Sequence, residues 1–168
     1  MKKYTFLVAT IVVVQYSTAQ NTWTQKADFG GGARENATGF SIGTKGYIGL
    51  GDNFDVFKDF WEYDPATNIW TQKADFGGGA REYATGFSIG TKGYIGTGYD
   101  NFNNALKDFW EYDPTTNTWK QKADFGGTAR YYTTGFSIGT KGYIGTGVEN
   151  GGASFVKDFW EYDPTTNT

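Results

Sequence analysis

The chain contains neither cysteine nor histidine. Without cysteine there are no disulfides, no thiolate metal ligands and no thiol nucleophile; without histidine there is no imidazole ligand and no histidine general base. A metal site would have to rest on Asp, Glu, Asn and backbone oxygens, which suits hard cations. The acid-rich loop at Asp52 lacks the D-x-[DN]-x-[DN]-G-x5-E spacing of a calcium loop. No metal, no cofactor and no catalytic group is therefore assigned. Basic residues are also scarce: 15 Lys and Arg stand against 18 Asp and Glu, for a formal charge of −3. No basic run or stripe exists to track phosphates, so a nucleic-acid partner is not expected. Long apolar runs are missing as well. Tyr4 to Val14 covers about eleven residues, too few to span a membrane.

What is abundant is rings and glycine. Aromatics make up 19 % of the 168 residues, beside 25 glycines. That pairing suits many short strands packed by rings and joined by tight turns, and it does not suit disorder. The length fits one modest domain.

The first nineteen residues read as a leader. Lys2 and Lys3 form a positive start, the apolar stretch follows, and Ser17-Thr18-Ala19 offers a small-residue cleavage site ahead of Gln20. No cysteine follows for a lipid anchor. The reading predicts an exported protein: secreted, periplasmic or at the cell surface. Losing the two lysines takes the charge from −3 to −5.

From Trp23 onward the chain repeats itself three times, with starts at Trp23, Trp70 and Trp119 and offsets of 47 and 49 residues. That spacing falls in the range of propeller arrays. In the middle repeat the expected strands are Glu82 to Ile89, Tyr94 to Gly98, Lys107 to Tyr112 and Thr118 to Ala123. Gly90-Thr91-Lys92-Gly93 makes a hairpin turn, and Asp113-Pro114-Thr115-Thr116-Asn117 makes a second turn with a left-handed exit at Asn117. In the third strand Phe109 and Glu111 point one way, Trp110 and Tyr112 the other. Large rings on both faces require neighbours on both faces, which stacked blades provide. Trp61, Tyr63, Trp70, Trp110, Tyr112, Trp119, Trp160, Tyr162 and Trp23 are then expected in blade cores. Thr22 to Ala27 reads as a fourth strand without its first three, placed to complete the last blade.

These residues resemble kelch repeats, as found in kelch-type propellers and the galactose oxidase propeller. The matching elements are Ala80-Arg81, Gly93-Tyr94-Ile95, Tyr112-Asp113-Pro114 and Asn117-Thr118-Trp119, each recurring in the other repeats. The usual adjacent glycines are split here, as Gly49-Leu50-Gly51, Gly96-Thr97-Gly98 and Gly145-Thr146-Gly147. The fold class expected is all-β: a propeller domain over 20–168 with repeats at about 23–69, 70–118 and 119–168. Its three four-stranded blades would be part of a larger ring, either in a longer protein or by self-association of two chains.

The resemblance implies that ligands bind on loops joining fourth to first and second to third strands. There the internal copies differ: Glu35-Asn36, Glu82-Tyr83 and Tyr131-Tyr132 after the repeated arginine, and the loops holding Asp52 and Asn53, Tyr99, Asp100 and Asn101, and Glu149 and Asn150. These are the binding candidates. Arg34, Arg81 and Arg130 join them, with two roles open: holding a carboxylate or sugar acid, or a structural ion pair. Glu62, Glu111 and Glu161 are read as structural partners of lysines such as Lys73 and Lys122. The leading function is an exported binding or scaffold module for a protein or glycan. The alternative is a sugar-processing enzyme similar to kelch-type sialic acid mutarotases, with Glu35 or Glu82 beside Arg34 or Arg81. Copper oxidation fails, because the copper site of galactose oxidase needs histidine and a cysteine–tyrosine crosslink.

Overall fold

The computed structural model describes residues 22–151 and 154–168; the expected leader at 1–19 lies outside them. All regular structure among the described residues is strand, and its main sheets are three antiparallel blades. Blade one runs Thr38–Ile42, Lys45–Gly49, Phe60–Asp64, Ile69–Gln72. Blade two runs Thr85–Ile89, Lys92–Gly96, Phe109–Asp113, Thr118–Gln121. Blade three has three strands, Thr134–Ile138, Lys141–Gly145 and Phe159–Tyr162.

Strand ends differ from expectation where the backbone turns left-handed. Tyr83 has φ +54°, so the first strand starts at Thr85 rather than Glu82. Thr97 at φ +60° and Gly98 at φ +103° end the second strand at Gly96. The hairpin between them needs only Gly90 and Thr91, with φ +58° at Gly90, the geometry glycine favours at the first corner of such turns. Asn117 takes the left-handed exit at φ +54°. It also gains a role the spacing did not show. Its Oδ1 accepts from the Tyr112 hydroxyl at 2.9 Å and from the Ala74 N–H at 2.9 Å, tying the end of blade one to blade two.

The ring faces are sealed between blades. On one face of blade two, Phe87, Tyr94 and Phe109 stack, and Phe109 meets Tyr162 of blade three edge-on at 4.8 Å. On the other, Tyr112 and Trp119 pack on Phe60 of blade one at 5.0 and 4.9 Å. Phe60 and Tyr112 are wholly buried. Burying about 150–250 Å² per ring gives several kcal/mol each at about 25 cal/mol per Å², as a gross upper bound. First strands of neighbouring blades lie side by side. A Cβ on Gly86 would sit 2.8 Å from Thr38 Oγ1 and 3.0 Å from Phe40, so the close approach needs glycine there.

The end of the array departs from expectation. Thr22 to Ala27 forms no strand, and Trp23 is 103 % exposed. The cause is where Ala27 is tied. Its N–H donates to Asn68 Oδ1 at 2.9 Å and its carbonyl accepts from Trp70 Nε1 at 3.3 Å, as Ala74 is tied to Asn117 and Trp119 of blade two. The segment thus precedes blade one and does not complete blade three. Trp160, with no fourth strand beside it, is 40 % exposed; Tyr162 is buried, while Trp61, Tyr63, Trp70, Trp110 and Trp119 are half-buried.

Candidate functional site

The two sets of variable loops meet at one end of the blades. Glu35 pairs with Asp52, Glu82 with Tyr99, Arg130 with Glu149 and Tyr131 with Val148, each as a short antiparallel bridge. Next to these bridges Asn36, Tyr83 and Tyr132 share a left-handed backbone, at φ +55°, +54° and +57°. That shape turns the chain toward the next blade. Tyr83 N–H donates to Asn36 O at 3.2 Å, and Tyr132 N–H to Tyr83 O at 3.3 Å. The three residues form a hydrogen-bonded arc across the blades.

Side chains converge on that arc. Tyr83 lies 4.1 Å from Tyr132 and 5.9 Å from Tyr131, and Tyr131 lies 4.8 Å from Tyr99, between ring centres. Asn36 Nδ2 donates to Asp52 Oδ1 at 2.8 Å and to Glu82 Oε2 at 3.3 Å. Burial, then the neighbouring Asp52 carboxyl, hold the Glu82 carboxyl above its ordinary range. The Tyr132 hydroxyl, burial and the Glu82 charge raise the Tyr83 phenol. Tyr132 is 54 % exposed. The result is a tyrosine platform with two carboxyls and an amide at its edge.

Other candidates stand apart. Asp100 accepts from the N–H groups of Phe102 and Asn104, both at 2.9 Å, and so shapes its own loop. Asn101 is exposed at that turn. Asn150 Oδ1 accepts from Ala105 N–H at 3.3 Å across blades, and Glu149 accepts from Thr128 Oγ1 at 2.6 Å. Glu35 and Asn53 flank an open groove of about 330 Å³ on blade one.

The arginines are engaged in ion pairs within their own blades. Arg81 is 1 % exposed. It binds Asp108 through both terminal nitrogens, at 2.6 and 2.8 Å, donates to Thr97 O at 3.0 Å and to Gly78 O, and lies over the Phe76 ring. Arg34 is bound to Asp59, Leu50 O and Gly31 O, and Arg130 to Asp158, Thr146 O and Thr128. Each fixes its loop to its own blade, the structural ion pair that was one of the two roles left open for them. Glu62 and Glu111 face Lys73 and Lys122 at 3.8 and 3.4 Å and accept from Tyr47 and Tyr94, the structural role expected.

The second-to-third-strand loops, binding candidates from the sequence, also carry exposed rings. Phe54, Phe102 and Phe155 stand on the three second-to-third-strand loops, 104 %, 76 % and 84 % exposed. The signal was present: each loop differs in length and composition but keeps a phenylalanine.

A kelch motif model matches residues 97–126, which follow the second strand of blade two, span its third and fourth strands and lead into blade three. Among solved structures, that of YjhT superposes with a TM-score of 0.69 at 23 % identity, over 80 % of this chain and 49 % of that one. The chain thus spans about half the length of that structure. No curated protein matches. By repeat and by fold, the chain is a β-propeller of three blades in a partial ring, with a kelch motif at residues 97–126.

Proposed function

We propose that the chain is an exported binding module whose loop end recognises a glycan. The observation that carries the reading is the arc Asn36–Tyr83–Tyr132, which holds the half-buried Tyr83 and exposed Tyr132 rings beside carboxyl and amide groups on a rigid scaffold. Tyrosine faces stack on the apolar faces of sugar rings and their hydroxyls bond to sugar hydroxyls; such residues dominate recognition surfaces. Asp52, Glu82 and Asn36 accept from and donate to ligand hydroxyls, and Phe54, Phe102 and Phe155 provide an apolar rim. No lysine or arginine joins this cluster, which fits a neutral ligand better than a phosphate backbone.

A glycan array with the wild-type chain, Tyr83→Ala and Tyr132→Ala tests it. Binding should fall about tenfold or more in each variant, as for a residue worth over about 1.4 kcal/mol. Undiminished binding would remove the platform. A second reading, a sugar-processing enzyme, draws on the raised Glu82 carboxyl, a feature of acid–base groups. The arginines expected beside it are spent in ion pairs, so Asp52 would be its partner. NMR of anomer exchange for sialic acid and galactose, with Glu82→Gln as control, checks it; no acceleration over buffer ends it for those sugars.

A further inference from the structure

The same three positions meet at each junction between blades, with opposite chemistry. Between blades one and two they are Asn36 and Asp52 of blade one and Glu82 of blade two, joined by Asn36 Nδ2, which donates to Asp52 Oδ1 at 2.8 Å and to Glu82 Oε2 at 3.3 Å. Between blades two and three their counterparts are Tyr83, Tyr99 and Tyr131. The Tyr131 ring centre lies 5.9 Å from that of Tyr83 and 4.8 Å from that of Tyr99. The backbone is alike at both junctions. Glu82 pairs with Tyr99 as Glu35 does with Asp52, and the bond from Tyr83 N–H to Asn36 O recurs from Tyr132 N–H to Tyr83 O. Side chains alone make one junction polar and the next a wall of rings.

The polar junction is rich in acceptors and poor in donors. An amide nitrogen carries two hydrogens, and Asn36 gives one to each carboxyl. What remains is acceptor: Asn36 Oδ1 and the second oxygens of Asp52 and Glu82. Arg34 and Arg81, which adjoin Glu35 and Glu82 in sequence, are held by Asp59 and Asp108. Among the described residues no ion pair neutralises Asp52 or Glu82. Asn36, Asp52 and Glu82 are all half-buried. Two such carboxyls side by side without a counter-charge repel, and burial together with Asp52 makes Glu82 hold its proton above the ordinary carboxyl range. An ammonium brings three donors and a positive charge; it satisfies the acceptors and removes the repulsion together.

We propose that the glycan recognised at this end carries a free amino group, in a glucosamine-type unit whose ammonium sits among Asn36, Asp52 and Glu82 while sugar rings lie on Tyr83, Tyr131 and Tyr132. The proposal rests on the glycan reading and adds its specificity. An acetylated amine keeps one donor and no charge, and a hydroxyl offers one donor, so neither relieves the carboxyl pair. Charge-assisted bonds are about twice as strong as neutral ones, which selects the free amine. A lysine side chain carries the same charge on a flexible stem and offers the tyrosines no flat ring face.

Isothermal titration of the full chain tests it, with tetramers of β-1,4-linked glucosamine, N-acetylglucosamine and glucose. The titrations are run at about pH 6, where the amine is charged, and in about 0.15 M salt, which screens attraction to the overall charge beyond about 8 Å. The glucosamine tetramer should bind about tenfold tighter than the other two, or better. Asp52→Asn and Glu82→Gln should each bring it down to their level, with an unchanged circular-dichroism spectrum, and Tyr83→Ala should weaken it as well. Equal affinity for all three tetramers, lowered by Tyr83→Ala, would keep the glycan reading and overturn the amino-group proposal. Tetralysine binding as tightly as the glucosamine tetramer would overturn it too, since charge alone would then suffice. So would no binding of the glucosamine tetramer, in which case the glycan reading stands or falls on the array.

Discussion

Removing Asp108 should damage the protein far more than its partly exposed position suggests. The Arg81 side chain is 1 % exposed and that of Asp108 is 23 % exposed. Asp108→Ala removes both charge-assisted bonds of the guanidinium and leaves it against Phe76 and two carbonyls with no counter-charge. An uncompensated buried charge costs about 3–5 kcal/mol. The same change frees the Trp110 Nε1–H, which donates to Asp108 Oδ2 at 2.7 Å. Arg81→Met is milder, because the remaining carboxylate reaches water and keeps its tryptophan donor; about 1–3 kcal/mol is expected, the cost of unsatisfied groups. Urea unfolding followed by tryptophan fluorescence measures both. The order Asp108→Ala worse than Arg81→Met is the result required. A loss below about 1 kcal/mol for Asp108→Ala, the level of an exposed ion pair, would refute the view that these arginines are buried pins.

Gly98→Ala places a Cβ 2.8 Å from Glu82 O and 3.2 Å from Ala84 Cα at φ +103°. It should cost more than about 1 kcal/mol in the same assay, while Gly79→Ala, with open space around it but φ +86°, should cost less. Acid should weaken blade three. Arg130 bonding, opposed by burial and aided by Trp160, lowers the Asp158 carboxyl from 3.8 to about 2, so its stabilisation is present above pH 4 and lost as pH falls toward 2. Circular dichroism in urea across that window checks this; a flat profile would contradict it. Glu82 runs the other way: burial and Asp52 raise its carboxyl, so the wild type loses stability as pH rises through that value. Glu82→Gln should raise the unfolding midpoint at pH 7, and the gain should vanish in acid.

The blades were legible because each repeat carries its own strands and turns within about fifty residues. The alternation of Phe109, Trp110, Glu111 and Tyr112 required neighbours on both faces, and Phe60 and Tyr162 supply them. The arginine pairs were less legible. Asp59, Asp108 and Asp158 lie 25, 27 and 28 residues after their arginines, across two strands whose register sequence alone does not give. The tyrosine arc depended on left-handed residues at Asn36, Tyr83 and Tyr132, where no glycine marks the turn. The segment at Thr22 was read as a strand completing the last blade and forms none, because near-identical repeats cannot say which blade a given copy meets. The anchor at Ala27 decides it.

The account rests on rings of one blade being held by rings of the next. A double-mutant cycle of Phe60→Ala and Tyr112→Ala, whose rings meet edge-on at 5.0 Å across blades one and two, tests that directly. The predicted coupling is about 0.5–1.5 kcal/mol, the worth of a packed aromatic pair beyond its area. Strictly additive losses would mean that the two rings do not touch, and the blade stack would fall with them.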